Sequence, residues 1–95
     1  MPLLTNEQRT EALKSLAGWQ QQGKMITKSY HFASFLDAIA FINAVAPLSE
    51  AANHHPEIQN VYNRVTLHLT THDAGGLTEK DLALAHQINT LPPSH

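Results

Sequence analysis

Two stretches of this chain repeat with a period of two, and they limit its fold more than any other feature. In Met25–Phe32, Ile26, Lys28, Tyr30 and Phe32 point one way, and Thr27, Ser29 and His31 the other. In Arg64–His72, Val65, Leu67 and Leu69 oppose Thr66, His68, Thr70 and His72. Such alternation, rich in β-branched and aromatic residues, marks strands with one buried face. A shorter strand candidate precedes each: Trp19–Gln22 before the turn-like Gly23-Lys24, and Ile58–Tyr62 before a break at Asn63. The chain is therefore expected to fold two hairpins.

Three helices surround them. Thr5 and Gln8 form a capping box, opening a helix with Ala12, Leu13 and Leu16 on one side and a stop near Gly18. Ser34 and Asp37 open a second helix, whose stripe of Phe35, Ala38, Phe41, Ile42 and Val45 reads as core. Pro47 is expected to kink it, because proline removes a hydrogen bond and clashes with the preceding turn. Pro56 ends it and pushes His55 towards an extended backbone. Thr78 and Asp81 cap a third helix carrying Leu82, Leu84, Ala85 and Ile88, with Pro92-Pro93 closing it. The order α-β-β-α-β-β-α predicts an α+β fold, a four-stranded, mainly antiparallel sheet with helices on one face. Residues 1–95 are read as a single domain without repeats or linkers.

Composition narrows the function classes. The net charge is −2 and no Lys/Arg cluster occurs, so the attraction to phosphate backbones or anionic lipid is missing, and neither nucleic acid nor membrane is an expected partner. No stretch approaches the ~20 apolar residues of a membrane span. The N-terminal residues lack the basic and apolar regions of a secretory signal. Without cysteine there is no thiol catalysis, disulfide or iron–sulfur site. A cytoplasmic protein is expected. Its charged residues are a sparse 15% of the chain, which favours hiding surface in a homo-oligomer.

Seven histidines carry the functional reading. Glu50 and His54 are four apart and share a face on a continuing helix. His55 follows, and Pro56 places both imidazoles at an element end. His72 closes a strand before Gly75-Gly76, and packing of the last helix beside that strand end would bring Asp81 to His72. Imidazole donates or accepts protons near neutral pH, and a carboxylate beside it orients the ring. The group suits acid–base chemistry. Asp81 is also the third residue after Thr78, where a carboxylate completes a helix cap. Glu50 reads as an exposed helix carboxylate, Trp19 as core, and Tyr62 as core or pocket wall. His31, His68, His86 and His95 read as surface or packing residues. A metal held by Glu50, His54 and His72 is not expected, because adjacent histidines diverge and no paired-ligand helix motif is present.

The run Glu50-x3-His54-His55-Pro56-x5-Tyr62-x9-His72-x8-Asp81 resembles the signature of the pterin-4a-carbinolamine dehydratases. The strings His-His-Pro-Glu, Asn-Val-Tyr-Asn and Thr-His-Asp-Ala-Gly-Gly-Leu-Thr are similar to the family as well, and weaker similarity extends upstream to Gly18-Trp19. The resemblance implies a lyase that dehydrates 4a-hydroxytetrahydropterin to quinonoid dihydropterin, with no metal or organic cofactor. It implies His54 and His72 as the acid–base pair, His55 as the residue that binds and polarises the pterin, and Asp81 as support. Asn53, Pro56 and Glu57 complete the implied substrate-binding segment. It further implies a homodimer or homotetramer and a link to an aromatic amino-acid hydroxylase through tetrahydropterin recycling. The alternative it carries is a non-enzymatic interaction protein on the same scaffold, a dimerisation cofactor or assembly factor. Three positions depart from the family pattern: Ile58 where many members have Trp, Asn53 where an acidic residue is common, and Pro47 in the second helix.

Overall fold

A computed structural model describes residues 2–91 of the protein. Thr5 caps α1 (Asn6–Lys14) through the expected box: Thr5 Oγ1 accepts from the Gln8 amide, and Gln8 Oε1 accepts from the Thr5 amide. The helix stops at Lys14, before Gly18, because the Ser15 amide turns back to the Ala12 carbonyl and the Leu16 amide to the Leu13 carbonyl. That early exit sends Leu16 and Trp19 into the interior, where they are 1% and 4% exposed. The chain continues as β1 (Gln20–Gln22), β2 (Met25–His31), α2 (Phe35–Ala52), β3 (Glu57–Val61), β4 (Arg64–Leu69) and α3 (Glu79–Asn89), in the order α-β-β-α-β-β-α. The expected helix stop at Pro92-Pro93, and His95, lie outside the described residues.

The strands form one antiparallel sheet in the order β1-β2-β4-β3. Its central pairing sets Ile26 against Leu69, Lys28 against Leu67 and Tyr30 against Val65. Ile26, Val65, Leu67 and Leu69 are fully buried with Ala38 and Val45 of α2 and Leu84, Ala85 and Ile88 of α3. Burying each such aliphatic side chain contributes about 2 kcal/mol. The opposite face carries Thr27, Ser29, His31, Arg64, Thr66 and His68, joined by Glu57 and Gln59 of β3. One face is thus packed and the other open, as the alternation predicts.

Four local expectations change. Pro47 lies inside a continuous α2, on its exposed side, where water can serve the carbonyl that proline leaves unpaired. Phe41 is core, but Phe35, in the first turn of α2, is 45% exposed. Tyr62 is neither core nor wall; it takes a positive φ of 52° in the two-residue turn joining β3 to β4 and is largely exposed. His72 does not end a strand. The strand stops at Leu69, and His72–Ala74 form a 3-10 turn closed by the pairing of Thr71 with Gly76. By length and mean hydropathy, 1.4 over 18 residues, α2 also matches a membrane span, which no run in the plain sequence suggested.

Asn89 secures the end of α3. Its Oδ1 accepts from Trp19 Nε1 and Lys28 Nζ, both at 2.9 Å, and its Nδ2 donates to the Ala17 carbonyl. Lys28 also lies 4.9 Å from the centre of the Tyr30 ring, and desolvation lowers its pKa. Tyr30 packs on Phe41 at a ring separation of 4.4 Å, with a hydroxyl that is buried and lacks a partner. Burial raises the Tyr30 pKa well above its ordinary value of 10.0. The stability contributed by neutral Tyr30 is therefore complete below pH 10 and lost as the pH rises beyond it. Tyr30→Phe is expected to remove that alkaline loss. It should leave the Tm at pH 7 unchanged or higher, since it deletes a buried unpaired hydroxyl; thermal melts at neutral and alkaline pH measure both effects.

Candidate active site

The site begins where α2 stops. Asn53 takes the left-handed conformation, with φ 49° and ψ 43°, and its amide bonds the Ser49 and Glu50 carbonyls. Asparagine is one of the few non-glycine residues that adopts this geometry readily. The reversal is reinforced by the His54 amide, which donates to the Ser49 carbonyl at 3.1 Å. The two histidines then part. His54 turns inward and is 9% exposed, whereas His55 stays exposed. Pro56 keeps His55 out of helix, and β3 starts at the next residue.

Inside, His54 Nε2 lies 2.6 Å from Oδ1 of Asp81, a fully buried residue in the first turn of α3. The other carboxylate oxygen, Oδ2, accepts from the Thr78 amide and from Thr71 Oγ1, each at 2.9 Å. Thr71 Oγ1 in turn lies 2.8 Å from Thr78 Oγ1. One side chain thus caps α3 and orients His54. A carboxylate accepts, so Nε2 of His54 carries the proton and Nδ1 is the ring's free acceptor. The expected approach of Asp81 to His72 is not what the structure shows: its recorded partners are His54, Thr71 and Thr78.

Outside, Glu50 meets His55 instead of His54, with Oε1 2.5 Å from His55 Nε2. The left-handed turn at Asn53 takes His54 off the helix face it would have shared with Glu50. Both partners of the outer pair are exposed, so its contribution to stability is small.

His55 lines a cavity of about 330 Å³ together with Met25, Glu57, His68, Thr70 and His72. That volume lies in the range of roughly 300–1,000 Å³ usual for small-molecule sites. Three elements build it: the link from α2 into β3, the open face of β2 and β4, and the 3-10 turn. His54, Asp81, Asn53 and Pro56 are not among its lining residues. Sequence reasoning missed Thr71, Thr78, Met25, Thr70 and His68. The alternation does place His68, Thr70 and His72 on one side of β4 and its continuation, which was the signal for two of them. A larger hollow of about 430 Å³ lies farther along the same sheet face, among Ser29, His31, Gln59, Arg64 and Thr66, and holds none of the expected site residues. Among the described residues no group of three or more His, Asp or Glu side chains is arranged to hold a metal ion.

The chain is similar to proteins of one family. The model of the pterin 4 alpha carbinolamine dehydratase family matches residues 2–91. The chain belongs to that family. It is 49% identical over 90 residues to a "Putative pterin-4-alpha-carbinolamine dehydratase" of Koribacter versatilis, covering 95% of this chain and 96% of the relative. A relative of the same name from Roseiflexus sp. is 51% identical over 88 residues, covering 93% and 95%. The crystal structure of a transcriptional coactivator/pterin dehydratase from Brucella melitensis superposes with a TM-score of 0.87 at 40% identity, over 92% of this chain and 95% of that one. A pterin dehydratase-like protein identified as a RuBisCO assembly factor in the alpha-carboxysome superposes with a TM-score of 0.64 at 32% identity, over 76% and 86%.

Removing the Asp81 carboxylate would take the acceptor from three donors in three parts of the chain, of which the Thr71 hydroxyl alone keeps another partner, Thr78 Oγ1. Asp81→Ala is expected to destabilise the protein by about 3 kcal/mol, since each unpaired buried group costs about 1–3 kcal/mol. Asp81→Asn, which keeps an acceptor, should cost less. Urea unfolding of the two variants measures the difference.

Proposed function

We propose that this protein dehydrates a 4a-hydroxytetrahydropterin to quinonoid dihydropterin and water by histidine general acid–base catalysis, in the recycling of a tetrahydropterin cofactor. The observation that carries the reading is the cavity lined by His55 and His72, with His54, next to His55 in the chain, held by Asp81. Family membership supports the substrate class.

The reaction needs two proton movements. The 4a-hydroxyl must gain a proton as its C–O bond breaks, so that it leaves as water, and the ring system must lose one. His72 opens on the cavity, and no hydrogen bond to its ring is recorded among the described residues, so it suits proton delivery or removal. His54 offers Nδ1 while Asp81 holds Nε2, an arrangement that fixes its tautomer and orients the ring. His55, oriented by Glu50, binds and polarises the pterin, and Glu57 adds an acceptor for ring N–H groups. Asn53 and Pro56 serve binding indirectly by setting where the two histidines point. Each proton-transfer step is worth roughly 10²–10⁴ in rate.

Exposed Phe35 and Leu36 on α2, with the sparse charge, support a homodimer or homotetramer. The non-enzymatic reading is the main competitor, since one superposable relative is a RuBisCO assembly factor. The open, histidine-lined cavity favours turnover, because an interaction surface has no need of it.

Purified protein incubated with freshly generated 4a-hydroxytetrahydropterin should speed formation of the quinonoid product, followed by absorbance. His54→Ala and His72→Ala should each lower kcat by about 10²-fold, and the double variant should lose most of the activity while keeping its circular dichroism spectrum. An uncatalysed rate with the wild-type protein would overturn the proposal.

A further inference from the structure

We infer that His68, which lies outside the motif and was read from sequence as a surface or packing residue, is a substrate-contacting residue of this pocket. The inference rests on the dehydratase reading and extends it by one side chain. His68 stands in the middle of β4, opposite Thr27 of β2 and Glu57 of β3, on the open face of the sheet. It lines the same cavity as His55, Glu57 and His72. Its inner ring nitrogen, Nδ1, is buried and has no hydrogen-bond partner. No bond to its other nitrogen, Nε2, is recorded among the described residues either.

The other lining groups are differently committed. Thr70 donates its hydroxyl to the Lys24 carbonyl at 2.6 Å, His55 is engaged by Glu50, and Met25 offers a polarizable apolar surface. The hydrogen-bonding capacity left for an occupant therefore belongs to Glu57, His72, His68 and the ring nitrogen of His55 that Glu50 does not hold. A half-buried imidazole in the middle of a strand would ordinarily satisfy its nitrogens on neighbouring side chains or backbone. Here the strand backbone is spent on the ladder, and no hydrogen bond joins His68 to Glu57 or Thr27. The unspent group is the ring edge on the cavity side. It presents Nε2, or Nδ1 after a half-turn about the Cβ–Cγ bond, and either nitrogen pairs with a polar edge atom of a flat heterocycle. Glu57 across the ladder can take a neighbouring N–H of the same edge, so the two strands together read an edge bearing both donors and acceptors.

The test compares wild type with His68→Leu and His68→Gln. Gln keeps a donor and acceptor near the position of the imidazole nitrogens, and Leu removes both; each suits a half-buried strand face. Dehydration kinetics give kcat and KM, binding of 7,8-dihydrobiopterin, which has no 4a-hydroxyl, gives Kd by fluorescence, and thermal melts report folding. His68→Leu should raise KM and Kd about tenfold with kcat within about twofold, the size of one hydrogen bond to a ligand, and His68→Gln should recover most of the loss. Unchanged KM and Kd in His68→Leu would overturn the inference while leaving the dehydratase reading intact. Equal losses in both variants with a lowered Tm would assign His68 to packing and overturn it too. A wild-type protein that neither binds dihydrobiopterin nor turns over substrate would overturn both readings.

Discussion

A carboxylate with no solvent exposure must find its hydrogen bonds in the protein, and Asp81 finds them in three separate parts of the chain. Thr78 donates from the start of α3, Thr71 from beyond the end of β4, and His54 from the link between α2 and β3. Each donor would be costly to leave unpaired, so the three elements hold one another in register. The same bonds that cap a helix give His54 its orientation and tautomer. Stability and site geometry therefore share one side chain.

Around that anchor the open face of the sheet is left free for chemistry. The adjacent histidines serve different surroundings because a single left-handed residue, Asn53, stands before them and Pro56 after them. His54 enters the interior, and His55 joins a cavity whose other walls come from β2, β3, β4 and the 3-10 turn. Asparagine at 53, a departure from the acidic residue common in the family, has a physical reason here: it suits the φ of 49° that ends α2. Ile58, where many members have Trp, pairs with Leu67 on β4 and is 38% exposed, so it lies in β3 and does not line the cavity.

Much of the fold was legible locally. The two alternating runs are β2 and β4, all three helix caps fall at Thr5, Ser34 and Thr78, and the buried sets on the strands are those the period of two selects. Errors arose where a distant partner outweighed a local signal. Gly18 looked like the stop of α1, but the chain leaves the helix at Lys14 to bury Leu16 and Trp19. Phe35 belongs to an apolar stripe, yet it lies at the helix start beyond the sheet's cover. Within the site, His55 and His72, singled out by position, and Glu57, implied by the family resemblance, meet around one cavity. Thr71 and His68 were passed over because a threonine or histidine on a strand carries no mark of what stands opposite.

The element order, the caps, the inward face of each strand and the set of residues with proton chemistry are local properties, legible from periodicity and side-chain type over a few neighbouring positions. The pairings are not; they arise in the folded chain. Asp81 belongs to His54 and not to His72, Glu50 belongs to His55 and not to His54, and His68 stands in the cavity with the motif histidines. Those choices depend on the direction in which α2 ends and on how α3 docks against the end of β4. Asp81 and His54 are 27 positions apart and the cavity joins Met25 to His72, so packing of the whole sheet and its helices sets these contacts. Glu50 and His55 are only five apart, and there the left-handed turn at Asn53 decides.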